Sequence, residues 1–231
     1  MLETIAQALG DVRQGVARAE EDAGRPAGSV ALVAVSKTFG ADAVRAAYAA
    51  GQRAFGENYV QELVSKTEEL VDLDIQWHFI GPLQSNKTRA VAERAHWVHS
   101  VERDKIAERL SAQRPDTLPP LNVLLQVNVS GEESKSGCRP DEVEALARKV
   151  AALPRLVLRG LMCIPEPSAD EAVLLARFGL LAQLRDRLAA QGFELDTLSM
   201  GMSSDMALAI RAGATHVRVG TAIFGSRSYR H

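Results

Sequence analysis

Eight short apolar stretches punctuate the chain: SVALVAVSK, RAFGEN, IQWHFIG, HWVHSV, LNVLLQVNV, LVLRGLMCI, LDTLSMG and THVRVG. Within each, apolar residues run almost unbroken rather than alternating with polar ones. Strands covered by helices on both faces, as in a parallel sheet, carry this pattern. The segments between them have the helical period. Val143, Leu146, Ala147 and Val150 fall at i, i+3, i+4 and i+7. Pro140 suits the first turn of that helix, Asp141, Glu142 and Glu144 lie near its positive end, and Arg148 and Lys149 close its last turn. Leu174, Phe178, Leu181, Leu184 and Leu188 stripe a later helix. Gly51, Gly192 and Gly213 each stand two or three residues before the next strand, where a left-handed residue ends a helix.

Strand and helix alternating eight times predict a (β/α)8 TIM barrel, one domain over residues 1–231. An extra N-terminal helix precedes the first strand, with Leu2, Ile5, Leu9, Val12 and Val16 as its apolar stripe. It is expected to pack across the barrel exterior or the bottom. The competing architecture is an open doubly wound sheet, but no GxGxxG follows the first strand. The proline-rich pieces RPDTLPP and PEPS are short and read as loops, not linkers.

Composition narrows the function classes. The 231 residues are 46% hydrophobic and 24% charged, enough for one sizeable core. A net charge of −2 supplies no basic field for nucleic acid. No apolar run approaches the roughly 20 residues of a membrane span. The first helix is too acidic for a targeting peptide. Cys138 and Cys163 belong to no CxxC, which fits a reducing compartment, and a cytoplasmic protein is expected.

In a barrel the C-terminal strand ends share one face, and the site lies there. Lys37, Glu57–Asn58, His78–Gly81, Ser100, Asn128, Met162–Cys163, Ser199–Ser203 and Gly220–Thr221 should converge on it. A lysine at an apolar mouth loses water, which favours its free amine, so Lys37 is a Schiff-base candidate; a surface lysine just past a strand is the plainer alternative. After the seventh strand comes SMGMSSD, and after the eighth GTAIFGS. Gly201 would let backbone approach an anion, Ser203 or Ser204 would cap the following helix, and Gly220–Thr221 would add donors. Arg218, inside the apolar HVRVG, needs a partner. That partner is either an interior acid such as Glu57 or an acceptor nitrogen on a ligand. An aldehyde-capturing lysine, a phosphate cradle and a basic donor together describe pyridoxal 5′-phosphate.

The motifs VAVSKTF, FGENYVQE, WHFIGPLQSNK, HSVER, VNVSGEESKSG, GLMCIPEP, LSMGMSSDM and VRVGTAIFGSR, in this order, resemble those of the pyridoxal phosphate homeostasis protein family. The resemblance covers nearly the whole chain. It implies a barrel like the N-terminal part of alanine racemase, with the cofactor on Lys37. It further implies a phosphate site at Ser199, Met200, Ser203, Gly220 and Thr221. Arg218 would face the pyridine nitrogen, and Asn58 and Met162 would line the ring. Cys163 departs from the small residue common at its place in the family.

An arginine at the ring nitrogen weakens the electron sink that carbanion chemistry needs, because it donates but does not yield its proton. Only Thr221 to His231 follow the last strand motif, leaving no room for a racemase's added β domain. The expected function is therefore intracellular pyridoxal phosphate homeostasis: a monomeric carrier, with apo pyridoxal phosphate enzymes as recipients. The alternative is an amino-acid racemase-like enzyme; a class I aldolase using Lys37 is a third reading. His96 and His99, three apart in a strand, should face opposite ways, so no metal site is expected. His78 is expected near the pocket floor, Trp77 and Trp97 in the core, and Lys135 in a solvated loop, where a relay role stays open.

Overall fold

The computed structural model describes residues 2–133 and 136–226; Lys135 and the side chain of Leu2 lie outside the described residues. The chain opens with α1 (Leu2–Asp22) and then alternates. In order come β1 (Ala31–Val35), α2 (Ala41–Ala49), β2 (Ala54–Glu57), α3 (Val60–Glu69), β3 (Gln76–Phe79), α4 (Thr88–Ala92), β4 (Trp97–Val101) and α5 (Asp104–Gln113). The second half is β5 (Leu121–Gln126), α6 (Val143–Ala151), β6 (Leu156–Met162), α7 (Glu171–Ala190), β7 (Thr197–Ser199), α8 (Met206–Arg211), β8 (His216–Val219) and α9 (Thr221–Phe224). Every strand lies within one of the eight apolar stretches. The sheet closes into a barrel in the order β1 to β8, all parallel, with β8 returning to β1. Gly51, Gly192 and Gly213 have φ of 95°, 96° and 112°, the left-handed ends their positions suggested.

Alternation along each strand sorts side chains into two layers. Phe55, Trp77, Phe79, Leu125, Leu161, Leu198 and Val217 point outward and join the main core beneath the helices. Trp97, Leu124 and Met162 form a separate cluster inside the barrel. The interior also holds several polar side chains: His78, His99, Ser199 and Arg218 are all buried there.

Helix α1 lies on the exterior against α2, α8 and α9, burying Ile5, Leu9, Val12 and Val16. Its last turn also organises the entry to β1. The buried Glu20 carboxylate accepts from Val30 N at 2.7 Å and Gly28 N at 3.0 Å. Just beyond α1, Arg25 donates to Ile210 O and Ala214 O at 2.9 and 2.6 Å, tying the chain's start to its end.

The β5–β6 register shifts between Val123 and Leu124, and Gly160 sits opposite the shift. A Cβ at Gly160 would lie 1.8 Å from Thr197 O on β7. Gly160→Ala is therefore expected to prise β6 from β7 and destabilise the fold by about 2 kcal/mol or more, as overpacking does. Urea denaturation measures this, and an unchanged midpoint would mean the strands separate freely.

Candidate functional site

The end of β1 is held by a buried ion-pair network. Lys66, on α3, is only 4% exposed, and Glu57, at the end of β2, is fully buried. Lys66 Nζ donates to Glu57 Oε1 at 2.7 Å, to Glu62 Oε2 at 2.7 Å and to Ser36 O at 2.8 Å. Ser36 Oγ donates to the same Glu57 oxygen at 2.6 Å. Thr38 N donates to both oxygens of Glu62, at 3.1 and 2.8 Å. Thr38 adopts φ 69°, a left-handed conformation uncommon outside glycine and kept where surrounding bonds over-determine it. Lys37 is half-buried between these two anchored neighbours. The network thus fixes the backbone that carries the candidate nucleophile.

Glu57 is therefore not the partner of Arg218. Strand alternation turns Glu57 outward to α3, while Arg218 points inward. Burial raises the Glu57 carboxyl above the usual range, against the opposing pull of Lys66 and Ser36. The signal for Lys66 was present in the sequence: it falls on the stripe of Leu63 and Leu70, so its amine is buried with them.

The ends of β7 and β8 meet β1 at the same rim. Ala34 pairs with Val219, and a Cβ at Gly220 would stand 3.1 Å from Val35 O. A side chain would thus crowd the first strand where the last one turns into α9. Phe39, two residues past Lys37, stacks on Phe224 of α9 with centroids 5.4 Å apart. Lys37 and Gly220–Thr221 consequently occupy neighbouring strand ends. The β7 loop runs alongside: Arg218 N donates to Gly201 O at 2.9 Å, and Gly201 has φ 101°.

Two expectations for that loop change. Neither Ser203 nor Ser204 caps α8; Asp205 holds the N-cap position, and both serines are exposed. The cause is local, since Asp205 Oδ1 accepts from Met202 N at 2.7 Å and closes the turn before the helix starts. Met200 is fully buried in the outer core, so it presents only backbone to the rim. Ser199 is also buried, with its hydroxyl turned into the barrel. Asn58 lies at the rim, and its Oδ1 is buried without a hydrogen-bond partner. A Cβ at Gly81 would collide with Asn58 O, so Gly81 leaves the space in which Asn58 sits.

A hydrogen-bond chain unseen in the sequence crosses the barrel interior. Arg218 Nη1 donates to Ser199 Oγ at 2.6 Å, and Nη2 to Cys163 O at 3.0 Å. Ser199 Oγ lies 2.8 Å from His99 Nδ1, and His99 Nε2 lies 2.8 Å from His78 Nδ1. His78 Nε2 reaches Gln76 Oε1 at 3.0 Å. Burial holds His78 and His99 well below the usual histidine range and lowers His216 to about 4, so these rings are neutral. His78 stacks on Trp97 at 5.4 Å with an 11° tilt. Trp97 thus belongs to the interior rather than to the main core. His96 lies outside the chain, accepting from Trp77 N at 2.9 Å. Among the described residues no three histidine, cysteine, aspartate or glutamate side chains gather as metal ligands. No helix among them is long and apolar enough to cross a membrane.

The buried pair predicts a pH signature. Lys66→Met leaves the Glu57 carboxylate without its cation and should cost about 3–5 kcal/mol in urea denaturation near neutral pH. The Glu57 pKa then rises further in the fold than in the unfolded chain, so the folded state holds the extra proton. The deficit should shrink as the pH falls through that raised pKa and widen as it rises. A pH-independent deficit would show that Glu57 is not the group left uncompensated.

The alanine racemase N-terminal domain family matches residues 9–228. The pyridoxal phosphate homeostasis protein of Pseudomonas aeruginosa is 58% identical over 99% of this chain and 98% of its own. Among solved structures, a protein of unknown function from Bifidobacterium adolescentis superposes with a TM-score of 0.92 at 40% identity, over 96% of this chain and 95% of that one. PipY of Synechococcus elongatus, solved with pyridoxal phosphate bound, gives a TM-score of 0.84 at 39% identity, over 96% of this chain and all of its own. The chain belongs to the alanine racemase N-terminal domain family and, within it, to the pyridoxal phosphate homeostasis proteins.

Proposed function

We propose that this protein binds pyridoxal 5′-phosphate as a Schiff base on Lys37 and buffers or supplies it within the cell. The observation that carries the reading is the juxtaposition at one rim. A half-buried lysine just past the end of β1 adjoins the Gly220–Thr221 turn, and β8 presents a buried arginine with no carboxylate bonded to it among the described residues. The site's residues suit the group. Gly201 and Gly220 let their turns pack closely on α8 and β1 at the rim, Ser203 and Thr221 are exposed enough to meet a phosphate there, and the unpartnered Asn58 Oδ1 is open to a donor. When bound, pyridoxal phosphate supplies a reactive aldehyde and a conjugated ring that can accept electrons.

Each residue then has a role. The amine of Lys37 condenses with the aldehyde carbon, forming C=N and releasing water. Gly201, Ser203, Gly220 and Thr221 take the phosphate, with Ser199 and Met200 shaping the loop that carries it. Arg218 donates towards the ring nitrogen, and Asn58 and Met162 border the ring. Arginine keeps its proton, so the ring nitrogen stays unprotonated and a carbanion next to the imine gains little stabilisation. Holding the cofactor is favoured over turning substrates with it, which agrees with the names of the relatives. Apo forms of pyridoxal phosphate enzymes are the recipients this reading calls for.

Purified protein loaded with pyridoxal phosphate should show a visible absorbance band that borohydride abolishes. Peptide mass mapping should then find the reduced adduct on Lys37. Lys37→Ala should lose the band. Full retention of the band by that variant, or an adduct on another lysine, would overturn the assignment.

A further inference from the structure

The polar chain inside the barrel has a direction that its far end, at Gln76, fixes through two neutral histidines, and the arginine end agrees with it. Arginine can only donate, so Ser199 Oγ accepts from Arg218. At the far end Gln76 Oε1 can only accept, so His78 Nε2 carries the hydrogen. A neutral His78 must then accept at Nδ1, and His99 must donate from Nε2. His99 in turn accepts at Nδ1, and the acceptor it offers takes the one hydrogen of Ser199. Assigned from Gln76 inward, the donor order is Arg218, Ser199, His99, His78, Gln76, and the obligate donation by Arg218 is consistent with it. The serine hydroxyl and all four imidazole nitrogens along it are then satisfied with both histidines neutral.

On the reading that the site binds pyridoxal phosphate, we infer that Ser199 and His99 are positioning residues that aim Arg218 at the ring nitrogen as a cation with no carboxylate bonded to it. Arg218 is 4% exposed and forms no salt bridge among the described residues. Its guanidinium donates to the Ser199 hydroxyl and the Cys163 carbonyl. The carbonyl is fixed by the sheet, but a serine hydroxyl rotates freely unless its hydrogen is committed. His99 commits that hydrogen, which leaves the serine lone pairs facing Arg218. Both hydrogen-bonded supports are neutral, and the Asp205 carboxylate acts on the guanidinium only through space, so no carboxylate is bonded to it to cancel its charge. A carboxylate in the place of Ser199 would hold the guanidinium as well but would remove that charge. An uncancelled cation beside the ring nitrogen disfavours a second positive charge there. The interior chain thereby extends control of the ring's protonation from the rim to the exposed Gln76 at the opposite end of the barrel.

The test uses 15N-labelled pyridoxal phosphate and the full chain. In wild type the ring-nitrogen NMR signal should fall in the unprotonated, hydrogen-bonded range. In Ser199→Ala and His99→Phe it should move towards the value of a free unprotonated ring, and affinity should fall by about tenfold, the loss of one charge-assisted hydrogen bond. Without the ligand, 15N-histidine spectra should show His78 and His99 as neutral Nε2–H tautomers. Wild-type signal and affinity in both variants would overturn the inference, as would a charged or Nδ1–H His99. Should His99→Phe fail to fold, Ser199→Ala decides alone, since it removes one oxygen and leaves the backbone unchanged. A wild type that never loads on Lys37 sinks the binding reading itself. A loaded wild type with indifferent variants sinks only the positioning role.

Discussion

Parallel pairing of β8 with β1 is the constraint on which the molecule's chemistry rests. Four registered pairs, from Ala31–His216 to Ala34–Val219, join the first strand to the last. They set a lysine near residue 40 beside a turn near residue 220. Neither segment can hold a ligand alone: one brings an amine, the other backbone donors and a cation. Arg25, Phe39 and Phe224 reinforce the junction from outside the sheet. Closing so long a loop carries an entropic penalty that short-range contacts cannot offset, and the whole barrel's burial of apolar surface provides the offset.

Polar networks on the two sides of the sheet serve different ends. The Lys66 network lies in the outer layer and is charged, pairing an amine with two carboxylates around the backbone of Ser36 and Thr38. It maintains a left-handed Thr38 that isolated chain would abandon. The Arg218 network lies in the inner layer and is neutral apart from the arginine itself. Burial works in opposite ways on their titratable groups. It raises the Glu57 carboxyl, keeping it dependent on Lys66, and it lowers the histidines, keeping them out of competition with Arg218.

This division is what strand alternation makes possible. Successive residues on β2 and β8 face different layers, so Glu57 and Arg218 do not meet although both are buried. A search for the nearest acid to a buried arginine would pair them, and the sheet forbids it. The arginine is left with two neutral oxygens, an arrangement suited to a ligand that must see the full charge.

By itself the sequence determined the strands, the helix faces, the closed barrel and the convergence of strand ends, because these follow from short-range periodicity and from turn-forming glycines. It also carried the family motifs. The tertiary structure alone decided which buried polar groups find each other. Ser199, His99 and His78 come from three different strands, and their spacing of 100 and 21 residues along the chain encodes no pairing. Lys66 was visible as a lysine on an apolar stripe, yet its partners were not. The start of α8 likewise turned on whether Asp205 or a serine reached Met202 N, a contest settled by angles of a few bonds. Hydrogen bonds depend on direction and on tenths of an ångström, and a one-dimensional pattern of apolar and polar residues records neither.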